Sequence, residues 1–118
     1  MTVESILFSA LSSLVGARVY PDVAPEGTAI PYITYQQVGG RSFVYVEGTL
    51  PDIKNGRIQF DVWADTRTAA SALALQVESV LVAIPTLQVE PLGAHVSTHE
   101  PDTGLYGTRQ DFSVTSAR

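Results

Sequence analysis

Two histidines, His95 and His99, stand four positions apart with Glu100 and Asp102 close behind them. Imidazoles and carboxylates grouped in this way are the raw material of a metal site. The stretch around them reads as a strand, and on a strand residues four apart share a face but lie about 13 Å from each other. One ion with bonds of about 2 Å does not span that gap unless a bulge intervenes, so surface or interface histidines are expected, and no metal.

Asp61, Asp65, Glu90, Glu100, Asp102 and Asp111 are the remaining acid–base candidates, because paired carboxylates catalyse when their surroundings split their pKa values. None sits in a catalytic motif. A nucleotide-binding glycine loop, His-Glu-x-x-His and Gly-x-Ser-x-Gly are all missing from the sequence. Ser12, Ser13 and Ser113 lack a neighbouring base. Neither catalysis nor a cofactor is expected, and a small hydrolase or ligand-binding domain is the minor alternative.

Arg41, Arg57, Arg109 and Arg118 could touch phosphate, and Phe43 and Tyr45 could stack on bases. Four dispersed arginines in an acidic chain make a poor electrostatic footprint, and they read as solvated loop ends. The run Phe43-Val44-Tyr45-Val46 says more. Hydrophobes in a segment bounded by Gly and Pro are either tucked under the domain or offered to a neighbour.

The elements that would position these residues follow from periodicity. Val3, Ile6, Leu7, Ala10, Leu11 and Leu14 recur at helical spacing, predicting a helix over 3–15 with Thr2 as N-cap and Gly16 as stop. Strands are expected at 18–20 and 32–38, separated by a proline-rich connection. Residues 39–55 read as a long loop or projecting hairpin. Residues 57–64 alternate, with Ile58, Phe60 and Val62 on one face and Gln59, Asp61 and Trp63 on the other. A second helix begins at Thr66 or Thr68 and runs to about 83, with Ala70, Leu73, Val77, Leu81 and Ile84 forming its stripe and Pro85 ending it. A weak strand at 87–92, a better one at 94–100, a β-turn at 101–104 and a strand over 105–115 complete the chain. The order α-β-β-β-α-β-β-β predicts an α+β fold: an antiparallel or mixed sheet with both helices packed on one face.

Composition narrows the function. With 118 residues the chain fits one domain over 1–118, and 45% hydrophobic against 16% charged residues mark it as globular. Seven Lys plus Arg against 12 Asp plus Glu give a net charge of -5, so no overall attraction to nucleic acid or an anionic bilayer is expected. The sequence has no cysteine, which removes disulfides, thiolate metal sites and cysteine nucleophiles. Neither a basic secretory leader nor an apolar run of ~18 residues is present, so a soluble, unprocessed chain is expected.

Three blocks resemble the phage tail completion family, the tail terminator or tail-to-head joining proteins of long-tailed phages and prophages. The first is Val19-Tyr20-Pro21 with Val23-Ala24-Pro25-Glu26-Gly27-Thr28 and Pro31-Tyr32-Ile33-Thr34-Tyr35-Gln36. The second is Arg57-Ile58-Gln59-Phe60-Asp61-Val62-Trp63-Ala64 leading into the Ala/Leu-rich second helix. The third is Glu100-Pro101-Asp102-Thr103-Gly104-Leu105-Tyr106 with Asp111-Phe112-Ser113-Val114. Together they span nearly the whole chain in the expected order. Residues 39–55 carry no transferable pattern.

The resemblance implies a structural virion protein, assembled in the host cytoplasm, that forms a hexameric ring capping the head-proximal end of the tail tube. Its partners would be further copies of itself, the tail tube protein and the head-closure or connector protein. DNA would pass through without specific binding, past a wall whose acidity does not grip it. Another neck, head-closure or minor tail component is the alternative in the same class. A compact chain of this length has a radius of gyration near 13.5 Å, and six spheres of about 35 Å leave a hole of about 35 Å. A cyclic ring needs two different patches on each subunit. Arg41, Phe43, Tyr45 and Glu47 on the 39–55 loop are candidates for one patch, and Glu100, Asp102 and Tyr106 for the other.

Overall fold

The computed structural model describes residues 2–118. Helix α1 (Val3–Leu11) starts where expected, with Thr2 Oγ1 accepting the Ser5 N–H at 3.1 Å. Its last turn tightens into a 3₁₀ segment, Ser12–Leu14, before Gly16 and Ala17 turn the chain with positive φ. Helix α2 (Arg67–Val82) is capped by Thr66, whose hydroxyl oxygen accepts the Ala69 N–H at 3.1 Å. It buries the expected stripe of Ala70, Leu73, Val77 and Leu81, together with Ala74.

Six strands form one mixed sheet: β1 (Val19–Pro21), β2 (Tyr32–Gln37), β3 (Ile53–Ala64), β4 (Gln88–Pro91), β5 (Val96–Glu100) and β6 (Leu105–Ala117). The order is β1-β2-β3-β6-β4, with β5 also paired to β6. Only β1 and β2 run parallel. Strand β6 pairs with β3 from Ile53↔Ala117 to Ala64↔Tyr106, and its other edge is divided between β4 and β5.

One face of this sheet is apolar because the alternation on neighbouring strands falls into register. Ile33 faces Val62, Tyr35 faces Phe60, and Ile58 faces Phe112. Leu7 and Leu11 of α1 and Leu73, Val77 and Leu81 of α2 cover that face and complete a single core. Phe60 lies at its centre, with its ring 6.0 Å from Tyr35 and edge-on to Phe112 at 5.5 Å. The fold is α+β, as the element order predicts.

The first helix ends its α-helical part at Leu11 rather than 15, and β5 begins at Val96 rather than 94; two larger expectations also change. Strand β3 begins at Ile53 rather than 57. Lys54, Asn55 and Gly56 have poor strand propensity, but the long partner β6 supplies their hydrogen bonds, and Asn55 Nδ2 donates to Ser113 Oγ and Thr115 Oγ1 at 2.8 and 3.1 Å. The spherical shape assumed for ring packing is also corrected. The molecule measures 52 × 25 × 23 Å with a radius of gyration of 15.2 Å, because the β3–β6 ribbon is the longest element in the chain and sets its long axis.

Candidate functional site

The segment 38–52 leaves β2 alongside β3. Val38 N–H donates to the Arg57 carbonyl at 2.7 Å, and Arg57 N–H returns a bond to Gly39 at 2.8 Å. Gly40 is required here: a Cβ would stand 2.6 Å from the Asn55 carbonyl oxygen, and its φ is +140°. Arg41 N–H then donates to Asn55 Oδ1 at 3.0 Å, and the Arg41 guanidinium lies 5.5 Å from the half-buried Phe43 ring.

Beyond Phe43 the chain makes a tight turn, fixed by bonds from Tyr45 N–H to Thr49 O at 2.8 Å and from Gly48 N–H to Tyr45 O at 2.9 Å. Its tip presents Val44 (67% exposed), Tyr45 (54%) and Val46, which is fully exposed. Glu47 accepts the Thr49 hydroxyl at 3.3 Å. The base of the loop is fastened by Arg118, whose Nε donates to Pro51 O at 3.0 Å and whose N–H donates to Asp52 O at 2.7 Å. The tip is therefore a held, apolar protrusion.

Glu100, Asp102 and Tyr106 occupy the β5–β6 turn, where Gly104 N–H donates to Glu100 O at 2.8 Å. The Tyr106 ring stacks on His99 at 4.4 Å and has the Arg67 guanidinium 6.0 Å away. The Tyr32 hydroxyl is pushed above its ordinary pKa, first by burial and then by the Glu100 charge. His99 is thus a stacking partner, while His95 precedes the strand. Among the described residues no three His, Asp or Glu side chains gather as a metal site requires.

The two sets are not brought together. Arg41, whose N–H bonds to Asn55, and Phe43, Tyr45 and Glu47 after it lie toward the Ile53 end of β3, and Glu100, Asp102 and Tyr106 lie at its Ala64 end. The 12-residue strand between those ends spans about 36 Å at ~3.3 Å per step.

Two further features escaped the sequence reading. The open face of the sheet carries a charge ladder: Arg57 Nε meets Asp111 Oδ2 at 2.8 Å, Gln59 Nε2 donates to Asp111 Oδ1 at 3.1 Å, and Arg109 grips both Asp61 oxygens at 3.1 and 3.2 Å. The Arg109 guanidinium is held above its usual pKa chiefly by that hydrogen bond to Asp61. Arg57 and Arg109 are therefore mid-strand ion-pair partners rather than solvated loop ends. Alternating charges at 57–61 and 109–111 hinted at a polar face, but pairing them needs the strand register.

The second feature is a cleft of about 370 Å³ between the start of α1 and the Ile53 end of the sheet, lined by Glu4, Asp22, Tyr35 and Lys54 among others. Tyr35 donates to Glu4 Oε1 at 3.1 Å. Its hydroxyl is pushed up to about 12 by burial first, then by the neighbouring Glu4 and Asp22 carboxylates. These residues come from α1, β2, β3 and the turn after β1, so no local motif marks them.

What the chain displays is an exposed apolar tip, an exposed acidic turn and a polar sheet face. Residues 8–116, nearly the whole chain, match the family model described as Tail completion protein gp17. No curated protein matches the chain.

Proposed function

Since the chain belongs to the Tail completion protein gp17 family, we propose that it forms a hexameric ring closing the head-proximal end of the tail tube and joining it to the head connector. Membership makes it a structural protein of phage tail assembly, carried in the virion and in contact with other tail or head proteins. Among the described residues no helix is long and apolar enough to cross a membrane. The ring, its connector contact, its assembly in the host cytoplasm and a purely non-enzymatic role are the further reading.

The observation that carries it is the family match combined with two candidate surfaces at opposite ends of a 52 Å molecule. Upright subunits about 25 Å wide place six centres on a circle about 50 Å across and leave an opening of about 25 Å, while five leave about 18 Å. Duplex DNA is roughly 20 Å wide and passes through the six-membered ring. Six subunits laid tangentially would leave about 80 Å, far too wide to close a tube. In the upright ring, one end of each subunit faces the tube and the other faces the connector.

Native mass by light scattering over a wide concentration range, with electron microscopy, tests this reading. Six-subunit particles with a central hole, in solution or on tail tubes, are expected. A chain that stays monomeric in both settings overturns the ring.

A further inference from the structure

The loop that carries the apolar tip and the cleft lie toward the same end of the long axis, since the loop leaves β2 at Gln37 with Arg41 bonded to Asn55, and Gln37, Lys54, Asn55 and Gly56 all line the cleft. In a cyclic assembly every subunit stands at the same height, so a loop on one copy can enter a recess on the next only if the two share a level. The loop base and the cleft share the level of Asn55, which lines the cleft and accepts the Arg41 N–H.

Their charges also fit. Among the described residues the ion pairs are Arg57–Asp111 and Arg109–Asp61, which leaves Arg41 on the loop, and Glu4, Asp22 and Lys54 in the cleft, without one. Arg41 is the cation at the base of the tip, and Glu4 and Asp22 are the cleft carboxylates. Glu47, beside Val46, has the opposite sign to Lys54 on the cleft floor. The apolar side chains of the tip match the Val3, Pro21 and Ile58 surfaces that line the recess.

We infer that the cleft receives the 41–47 loop of a second copy of this chain, Val44 to Val46 entering between α1 and the sheet while Arg41 meets Glu4 and Asp22. The inference rests on the ring reading and identifies the two complementary halves of its subunit contact. The preformed turn at 45–49 limits the ordering cost of docking.

The absence of cysteine makes cross-linking a clean test. V3C and V46C are introduced singly and together into the full chain, their folding is checked by circular dichroism, and oxidation is carried out in solution and on tail tubes. The double variant is expected to give a ladder of covalent oligomers that neither single variant gives beyond a dimer. Adding R41E is expected to lower the cross-linked fraction roughly threefold or more, as loss of a partly screened charge contact would. Six-subunit particles whose double variant shows no ladder overturn the loop-in-cleft contact and leave the ring standing. A chain that neither assembles nor cross-links in either setting overturns both.

Discussion

Trp63 and Gly107 are direct cross-strand partners on the open face of the sheet, and the indole lies close over the glycine. A Cβ at position 107 would stand 2.8 Å from Trp63 Cε3 and 2.8 Å from the Val62 carbonyl oxygen. Glycine in a strand is otherwise a weakness, and here a bulky ring supplies the cover that the missing side chain does not.

Gly107→Ala should therefore destabilise the fold despite reducing chain entropy. One of the two contacts is backbone, so relief requires a shift of β3 against β6, and overpacking of this kind costs about 1–3 kcal/mol. Urea unfolding should show a lower midpoint with an unchanged slope.

Phe60→Ala should be more severe, at about 3–5 kcal/mol. The ring is buried and contacts both Tyr35 and Phe112, so its loss opens a cavity that β2 and β6 cannot both close. The same urea titration measures it.

The charge ladder should matter far less. Arg57 and Arg109 side chains are 51% and 54% exposed, and exposed ion pairs contribute about 0–1 kcal/mol. Arg109→Ala is expected to lower stability by less than about 1 kcal/mol, with the difference shrinking in high salt.

Tyr35 predicts an alkaline limit. Its folded pKa of about 12 lies above its ordinary value of 10.0, so between these two values the unfolded chain loses its proton first. The associated stability is present below pH 10 and is lost as pH rises toward 12, on the order of 2 kcal/mol. Tyr35→Phe should lose the bond to Glu4 and show a shallower decline across that window in denaturation measured from pH 9 to 12.

The turn end can be separated from the tip end. Asp102→Arg alters an exposed side chain and, under the proposed upright ring, should leave native mass unchanged while weakening attachment to whichever partner meets that end. Co-sedimentation with tail tubes and with connectors would register the loss on one of them. A variant that binds both as well as the parent would remove the turn from the interface.

Much of the fold was legible because periodicity records which face is buried. The alternation of Ile58, Phe60 and Val62, and the stripe of Ala70, Leu73, Val77 and Leu81, both match the observed core. Thr2 announced its helix by side-chain chemistry that acts within one turn, while the start of the second helix was legible only to Thr66 or Thr68, and the structure places the cap at Thr66. The start of β3 was not legible, because Lys54, Asn55 and Gly56 are strand only by virtue of a partner about 60 residues away.

By itself the sequence determined the element order, the two-face character of the long strands, the Thr2 cap and the tail completion resemblance, all of which depend on residue type at short range. Tertiary structure alone decided that Arg57 meets Asp111 and Arg109 meets Asp61, that Glu4, Asp22, Tyr35 and Lys54 share one cleft, and that the two candidate surfaces stand at opposite ends of an elongated body. Those facts depend on strand register and on the length of the β3–β6 ribbon. Register is fixed by the packing of the whole apolar face at once, and no local stretch of sequence contains it.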